Sequence, residues 1–178
     1  MRVVLIFVQL VLLAVCVLCK NFEEAKKCKI PPTAPAKIQH VINECQDEIK
    51  LAIISEALQV LQENVHPTKN RAKRETFSND ERRIAGCLLQ CVYRKMDAIN
   101  EYGFPTVEGL MSIYTEGVTD KDYNIATAQA VYKCLQDAQK KYITTPQSLE
   151  EDGKTCDIAY DVFDCVSERI GEYCGQTP

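Results

Sequence analysis

The chain of 178 residues contains no tryptophan, only two histidines and no excess of positive charge. Its formal net charge of −4 at pH 7 argues against nucleic acid as a partner, because phosphate binding needs clustered lysine and arginine. His40 and His66 are not spaced against a cysteine as metal ligands usually are, and neither lies in a recognisable nucleophile motif. No Gly-x-Ser-x-Gly elbow occurs. The sequence therefore predicts no metal site, no cofactor and no enzymatic activity.

Long apolar runs are also absent, except at the N-terminus, where Arg2 precedes an apolar stretch over residues 3–18. A membrane span needs about 20 apolar residues, and charged side chains follow directly from Lys20 onward. This pattern predicts a signal peptide over residues 1–19, with a signal-anchor as the alternative. We expect a secreted, extracellular protein without stable membrane insertion, whose residues 20–178 form one domain.

Cysteine, in contrast, is abundant. Two of the ten cysteines belong to the predicted leader. The eight that remain are Cys28, Cys45, Cys87, Cys91, Cys134, Cys156, Cys165 and Cys174. An even number in a secreted chain predicts a disulfide framework and an oxidising compartment. Zinc is the competing interpretation, but these eight contain no Cys-x-x-Cys pair.

The apolar residues between the cysteines recur mostly at three and four positions, which is the period of a helix. Ser78 with Glu81, and Thr119 with Asp122, have the spacing of capping boxes that start helices. Sustained alternation of apolar and polar residues, typical of strands, is missing. The pattern predicts an all-α domain of about six helices. Its segments are an extended proline-containing arm (20–36), a long helix or two (37–65), a basic loop (66–77), and helices over 78–102, 105–117, 119–138 and 156–174.

The cysteine spacings restrict which helices can be joined. Nine residues turn a helix by two and a half turns, so Cys156 and Cys165 point in opposite directions and must bond to different neighbours. Cys87 and Cys91 lie on one face about 6 Å apart along the axis, which is usually unsuited to a bond within the helix. The sequence therefore predicts helices cross-linked to one another, an arrangement that can hold an internal void.

The order Cys45, Cys87-x-x-x-Cys91, Cys134, Cys156-x₈-Cys165 resembles the six-cysteine signature of insect odorant-binding proteins, in the pheromone-binding and general odorant-binding superfamily. Spacings of three and eight residues are the most diagnostic of that family, and this chain has both. The sequences "CLLQCVYRKMDAINEYGFPTVEGL" and "CDIAYDVFDC" are also similar to the family, and the resemblance covers residues 37–170. It implies a helical fold around an apolar cavity.

Two features depart from the family pattern. The gaps of 41 residues after Cys45 and 21 residues after Cys134 are longer than usual, and Cys28 and Cys174 are additional cysteines. The resemblance implies the pairs Cys45 with Cys91, Cys87 with Cys156, and Cys134 with Cys165, which leaves Cys28 with Cys174. We therefore expect an atypical member with four disulfides.

The resemblance further implies a carrier that binds odorants, pheromones or similar small hydrophobic ligands in chemosensory lymph, with a chemosensory receptor as a further partner. The alternatives are a secreted helical signal or toxin that binds another protein, and a lipid-active enzyme. Each apolar side chain of the helical stripes either fills a core or lines the cavity, and Tyr114 or Tyr160 would supply an orienting hydroxyl. The expected cavity wall is Leu88, Val92, Met96, Ile99, Leu110, Met111, Tyr114, Val131, Leu135, Ile158, Val162 and Phe163.

The basic loop also contains "RAKR" at residues 71–74, which matches the form that furin-type convertases cut. A solvated basic loop that merely lengthens the connection is the simpler interpretation. We expect the chain to remain uncut after Arg74.

Overall fold

A computed structural model describes residues 28–62, 79–143, 148–149 and 153–176, and five helices lie in these ranges. Within them, the only pairing of strand type is an isolated bridge between Ile99 and Pro105, so the predicted all-α class is confirmed with one helix fewer than expected. No helix of the described ranges is long and apolar enough to span a bilayer. The helices are α1 (Ala36–Gln62), α2 (Asn79–Lys95), α3 (Val107–Thr115), α4 (Lys121–Tyr142) and α5 (Lys154–Cys174).

Several predicted segments lie outside the described residues. These are the leader (1–19), the first part of the arm (20–27), the basic loop (66–77) and the expected helix cap at Ser78. The remainder of the arm, residues 28–35, is irregular and leads directly into α1. We call residues 28–35 the arm below.

The core is built around α5, whose apolar face is pressed inward between α2 and α4. Ile158, Val162 and Val166 recur at four-residue intervals on α5, and each is at most 1% exposed. Full burial of such a side chain contributes about 1.5–3 kcal/mol. A smaller cluster, formed by Cys45, Cys91 and neighbouring apolar residues, joins α1 to α2.

Four disulfides connect these elements. They join Cys28 to Cys174, Cys45 to Cys91, Cys87 to Cys156, and Cys134 to Cys165, the same pairs that the family resemblance implied. α5 is therefore bonded to α2 near its start, to α4 in its middle and to the arm at its end. The opposite directions of the first two sulfurs on α5 place α2 and α4 on its two sides.

The predicted end of the second helix near Tyr102 is wrong, because α2 stops at Lys95. Asp97 adopts a left-handed backbone conformation with φ of 53°, which interrupts the helix. The chain then turns, and the Asn100 side-chain oxygen accepts hydrogen bonds from the backbone N–H groups of Tyr102 and Phe104. Ala98 and Phe104 in this turn are buried although they do not belong to a helix.

The starts of α3 and α4 are set by capping side chains. The Thr106 hydroxyl accepts a hydrogen bond from Gly109 N–H at 3.2 Å, as expected for a cap. The cap of α4 is Asp120 and not Thr119 as predicted, since an Asp120 carboxylate oxygen accepts from Tyr123 N–H at 3.0 Å. Both caps satisfy amide groups that the first helical turn leaves without partners.

Candidate ligand-binding cavity

A cavity of about 1280 Å³, partly open to solvent, lies between the arm and the helices. The arm and the first turns of α1 form one wall, α2 and α5 form the opposite side, and α3 with the loop before α4 completes it. Most of the lining side chains are apolar. Small-molecule sites typically combine such apolar walls with a few polar groups. The lining residues are residues 29–36, Ile38, Ile42, Leu88, Leu89, Val92, Tyr93, Ile113, Tyr114, residues 116–120, Tyr123, Phe163, Ser167 and Ile170.

The arm is held in place at its beginning by two interactions. Cys28 is bonded to Cys174 at the end of α5, and both residues are buried. Lys29 N–H donates a hydrogen bond of 3.2 Å to the second carboxylate oxygen of Asp120. Asp120 thus caps α4 and anchors the arm at once, and these hydrogen bonds with backbone amides hold the pKa of its carboxyl below the ordinary value. Proline at positions 31, 32 and 35 keeps the arm out of a helix.

Helix α2 presents adjacent stripes to the cavity. Leu88 and Val92 form one stripe and Leu89 and Tyr93 the next, each pair separated by four residues and therefore on one side of the helix. Leu88 and Val92 also contact the small cluster with α1. The helix period thus brings four side chains, from two successive turns, to the cavity.

Two tyrosines of the lining, Tyr93 and Tyr114, have buried hydroxyl groups. Tyr93, which is 2% exposed, places its hydroxyl near that of Tyr114, which in turn lies near Ser167. Neither tyrosine oxygen has a partner in hydrogen-bond geometry among the described residues. Burial raises the pKa of Tyr93 and of Tyr114 well above the ordinary tyrosine value, so both remain neutral. Because both hydroxyl oxygens are buried away from the free volume of the cavity, the two tyrosines line it with the rest of their side chains.

Charge is limited to the part of the lining formed by the arm and the loop before α4. Lys29, Glu116 and Asp120 are the charged residues among the described lining. Lys29 is exposed, and the two acidic residues outnumber it. The lining formed by the helices is therefore free of charged residues, and the part formed by the arm and the loop before α4 has a slight excess of negative charge.

Residues 29–169 match the family model described as the PBP/GOBP family, which is well over half of the chain. The chain belongs to the PBP/GOBP family. The predicted resemblance to odorant-binding proteins is confirmed, and the match extends through the arm as far as α5.

The curated relatives of this PBP/GOBP family member include general odorant-binding protein 70 of Anopheles gambiae. The two sequences are 39% identical over 159 residues, covering 84% of this chain and 80% of the mosquito protein. No solved structure matches.

In this PBP/GOBP protein, four of the twelve residues predicted to form the wall line the cavity: Leu88, Val92, Tyr114 and Phe163. The remaining eight are packed elsewhere. Five belong to the buried core, two are partly buried against that core, and one packs against the small cluster between α1 and α2. In that order they are Leu110, Val131, Leu135, Ile158 and Val162, then Ile99 and Met111, and finally Met96. Tyr160, the other tyrosine considered as a ligand contact, lies beneath the Arg82 guanidinium, which is 4.7 Å from its ring centre.

The sequence reasoning missed the wall formed by the arm and α1 of this PBP/GOBP protein, and it missed Tyr93 and Tyr123. The expected bond between Cys28 and Cys174 was a usable signal, because it brings the arm to the end of α5 beside the lining residue Ile170. Tyr93 follows Val92 directly, so the single stripe assigned to that helix excluded it.

Proposed function

We propose that this protein is a secreted carrier of small hydrophobic ligands, such as odorants or pheromones, in chemosensory lymph. The single observation that carries the proposal is the cavity of about 1280 Å³ with predominantly apolar walls. Membership of the PBP/GOBP family and the name of the mosquito relative support the class of ligand. The four disulfides support passage through an oxidising, secretory compartment. The proposal needs no cofactor and no catalytic step.

A fluorescent apolar probe, N-phenyl-1-naphthylamine, tests this function directly. We expect the oxidised protein to bind it with a dissociation constant of about 1 μM, which corresponds to about −8 kcal/mol. Small volatile or fatty compounds should displace it.

A pair of neighbouring substitutions on α3 locates the binding. Ile113→Trp places a large ring at a lining position and should weaken probe binding about tenfold or more, equivalent to a loss of at least about 1.4 kcal/mol. Ser112→Trp adds the same ring at an exposed position on the same helix and should leave binding unchanged. Equal affinities of the two variants would place the probe outside the cavity and contradict the proposal.

A second function, a secreted signal that acts through a protein partner such as a receptor, is favoured by a different observation. Leu51, Ile54 and Leu58 on the second half of α1 are 67%, 55% and 54% exposed. Exposed apolar patches of this kind often mark protein contacts. If the oxidised protein fails to bind the probe but binds a chemosensory receptor, and if serine at these three positions abolishes that contact, the second function replaces the first.

A further inference from the structure

Helix α1 is longer than the helix that supports it. Its first half packs against α2, where Glu48 forms ion pairs with Arg94 and Lys95 at the very end of that helix. α1 continues past this contact through residues 51–62, which we call the outer half of α1. Residues 51–55 are all exposed, so the outer half extends beyond α2 without a helix packed against this part of it.

The outer half of α1 carries a narrow apolar stripe. Leu51, Ile54 and Leu58 form this stripe, and each is more than half exposed. Their spacings of three and four residues place them within about 60° of one another around the helix, at about 100° per residue. A stripe this narrow is typical of a helix that pairs with one other helix.

A membrane surface fits the outer half of α1 less well than another helix does. Helices that lie on a bilayer have a wide apolar face, with lysine and arginine on the polar face. Residues 51–62 include no lysine or arginine, and their one charged residue is Glu56. The next stretch of the chain, residues 63–77, has only Val65 and Phe77 as large apolar residues, which is too few for a matching stripe. The partner helix therefore belongs to another molecule.

We propose that the outer half of α1 pairs, antiparallel, with the outer half of α1 in a second copy of this chain. The two-fold axis passes near position 56, which sets Ile54 of each copy against Leu58 of the other. The same register brings Lys50 beside the C-terminal end of the other copy's α1. That end has no basic residue of its own in its last turn, and a cation there is stabilised by the helix dipole. Asp47, which pairs with Lys50 at 3.1 Å, lies about one turn further from that end.

The dimer is weak and does not involve the cavity. About three helical turns from each copy make a contact smaller than the about 1,200 Å² that a standard interface buries. We therefore expect a dissociation constant of about 50 μM. The α1 residues that line the cavity are Ala36, Ile38 and Ile42, which all precede the outer half. Pairing should leave ligand binding unchanged, so the dimer does not depend on the carrier function.

Sedimentation equilibrium of the oxidised protein, from about 1 to about 500 μM, measures the pairing. We expect the mean mass of the wild type to approach twice that of one chain at the upper end of this range. The triple variant Leu51→Gln, Ile54→Gln and Leu58→Gln keeps good helix-forming residues but loses the apolar contact, so dimerisation should weaken about tenfold or more. The control Ile125→Gln with Tyr132→Gln removes two exposed apolar side chains from α4 and should dimerise like the wild type.

Distances between spin labels test the antiparallel orientation in a protein whose apolar stripe is intact. Labels attached through Ser55→Cys lie next to the two-fold axis, so those of the two copies should be within about 20 Å of each other. Labels attached through Asn43→Cys lie on the first half of α1 and should be separated by about 40 Å along the helix axis. A parallel pair would bring both sets of labels within about 20 Å.

A wild-type protein that remains monomeric at about 500 μM would overturn the proposal. So would a triple variant that dimerises as tightly as the wild type, or labels at position 43 that are as close as those at position 55. If a monomeric wild type binds a chemosensory receptor and the triple variant does not, the stripe is a receptor contact instead. Failure to bind N-phenyl-1-naphthylamine would contradict the carrier function and leave the dimer unaffected.

Discussion

Asp161 of α5 gathers donors from two other helices. Its carboxylate accepts hydrogen bonds from Arg82 of α2, from Lys141 of α4 at 2.5 Å and from the Tyr142 hydroxyl of α4. The carboxylate side chain is 16% exposed. Burial alone would raise its pKa, but the hydrogen bonds from Lys141, Tyr142 and Arg82 together hold the pKa of Asp161 below its ordinary value. One side chain thus ties together the three helices that form the core.

The lowered pKa makes the contribution of Asp161 to stability depend on pH. A carboxyl whose pKa is lower in the folded than in the unfolded protein stabilises the fold above its unfolded-state pKa, about 3.9, and this contribution disappears as pH falls through the folded value. We expect Asp161→Asn to lower the free energy of unfolding by about 1 kcal/mol at pH 7, allowing for partial solvent screening. Urea titrations from pH 7 to pH 3 should show this difference shrinking below about pH 4.

Asp164→Asn serves as the control, because it removes an exposed carboxylate from the same helix. It should have little effect at any pH in this range. A difference between wild type and Asp161→Asn that stays constant from pH 7 to pH 3 would contradict the role assigned to the ionised carboxylate.

At the level of single residues, periodicity predicts which side chains point inward but not whether they meet a helix or a void. Ile158 and Phe163 both belong to the predicted apolar stripe of α5, yet Ile158 is fully buried and Phe163 lines the cavity at 40% exposure. The difference depends on whether a neighbouring helix lies against that part of the stripe. That neighbour is placed by long-range contacts, which a local pattern does not contain.

The arm is the element with the clearest consequence for binding. Residues 29–35 form one wall, yet they lack the support of a regular secondary structure and depend on the Cys28–Cys174 bond and the Lys29–Asp120 hydrogen bond. The wall should therefore be lost when its covalent anchor is removed, while the helices remain joined by the other three disulfides.

The double variant Cys28→Ala with Cys174→Ala tests this dependence. Loss of a native disulfide typically lowers the free energy of unfolding by about 2–5 kcal/mol. We expect helical circular dichroism to be retained and probe affinity to fall about tenfold, a change of about 1.4 kcal/mol in binding free energy. Titrations should be made at a temperature at which the variant remains folded.

The matched control is Cys134→Ala with Cys165→Ala, which removes the bond between α4 and α5 and involves no lining residue. It should lose stability of a similar order but retain probe affinity when folded. Equal loss of affinity in both variants would mean that the effect comes from general destabilisation and not from the arm.

Among the elements, helices with capping side chains and regular apolar spacing could be predicted, whereas some ends could not. The short helix α3 begins after Thr106, close to where its sequence indicated. α2 ends at Lys95, seven residues before Tyr102, and Asp97 just beyond it has a left-handed backbone conformation. The sequence predicted a longer helix because buried side chains such as Ala98 and Phe104 continue into the turn. A left-handed residue other than glycine leaves no strong signal in the sequence.

For the whole molecule, the cysteines carried the most information. α5 holds three of the four disulfides, and α1 is joined to α2 by the fourth. The helix geometry of Cys87, Cys91, Cys156 and Cys165 required bonds between different elements, and the family spacing implied the partners. The existence of an apolar cavity could be predicted from the family resemblance, but its position could not. That position depends on where the arm and α1 lie relative to α2 and α5.

The same bonds decide what a cut after Arg74 would do to the molecule. The piece that ends at Arg74 would carry the arm and α1, and the remainder would carry the other walls, but the Cys28–Cys174 and Cys45–Cys91 bonds both cross the cut. The two pieces would therefore migrate together on a non-reducing gel and separate only after reduction. We expect protein from the native tissue to give a single band in both cases, since a solvated basic connection accounts for the RAKR sequence without processing. Two bands after reduction, one of them starting at Glu75, would contradict this prediction and make the carrier a two-chain protein held by disulfides.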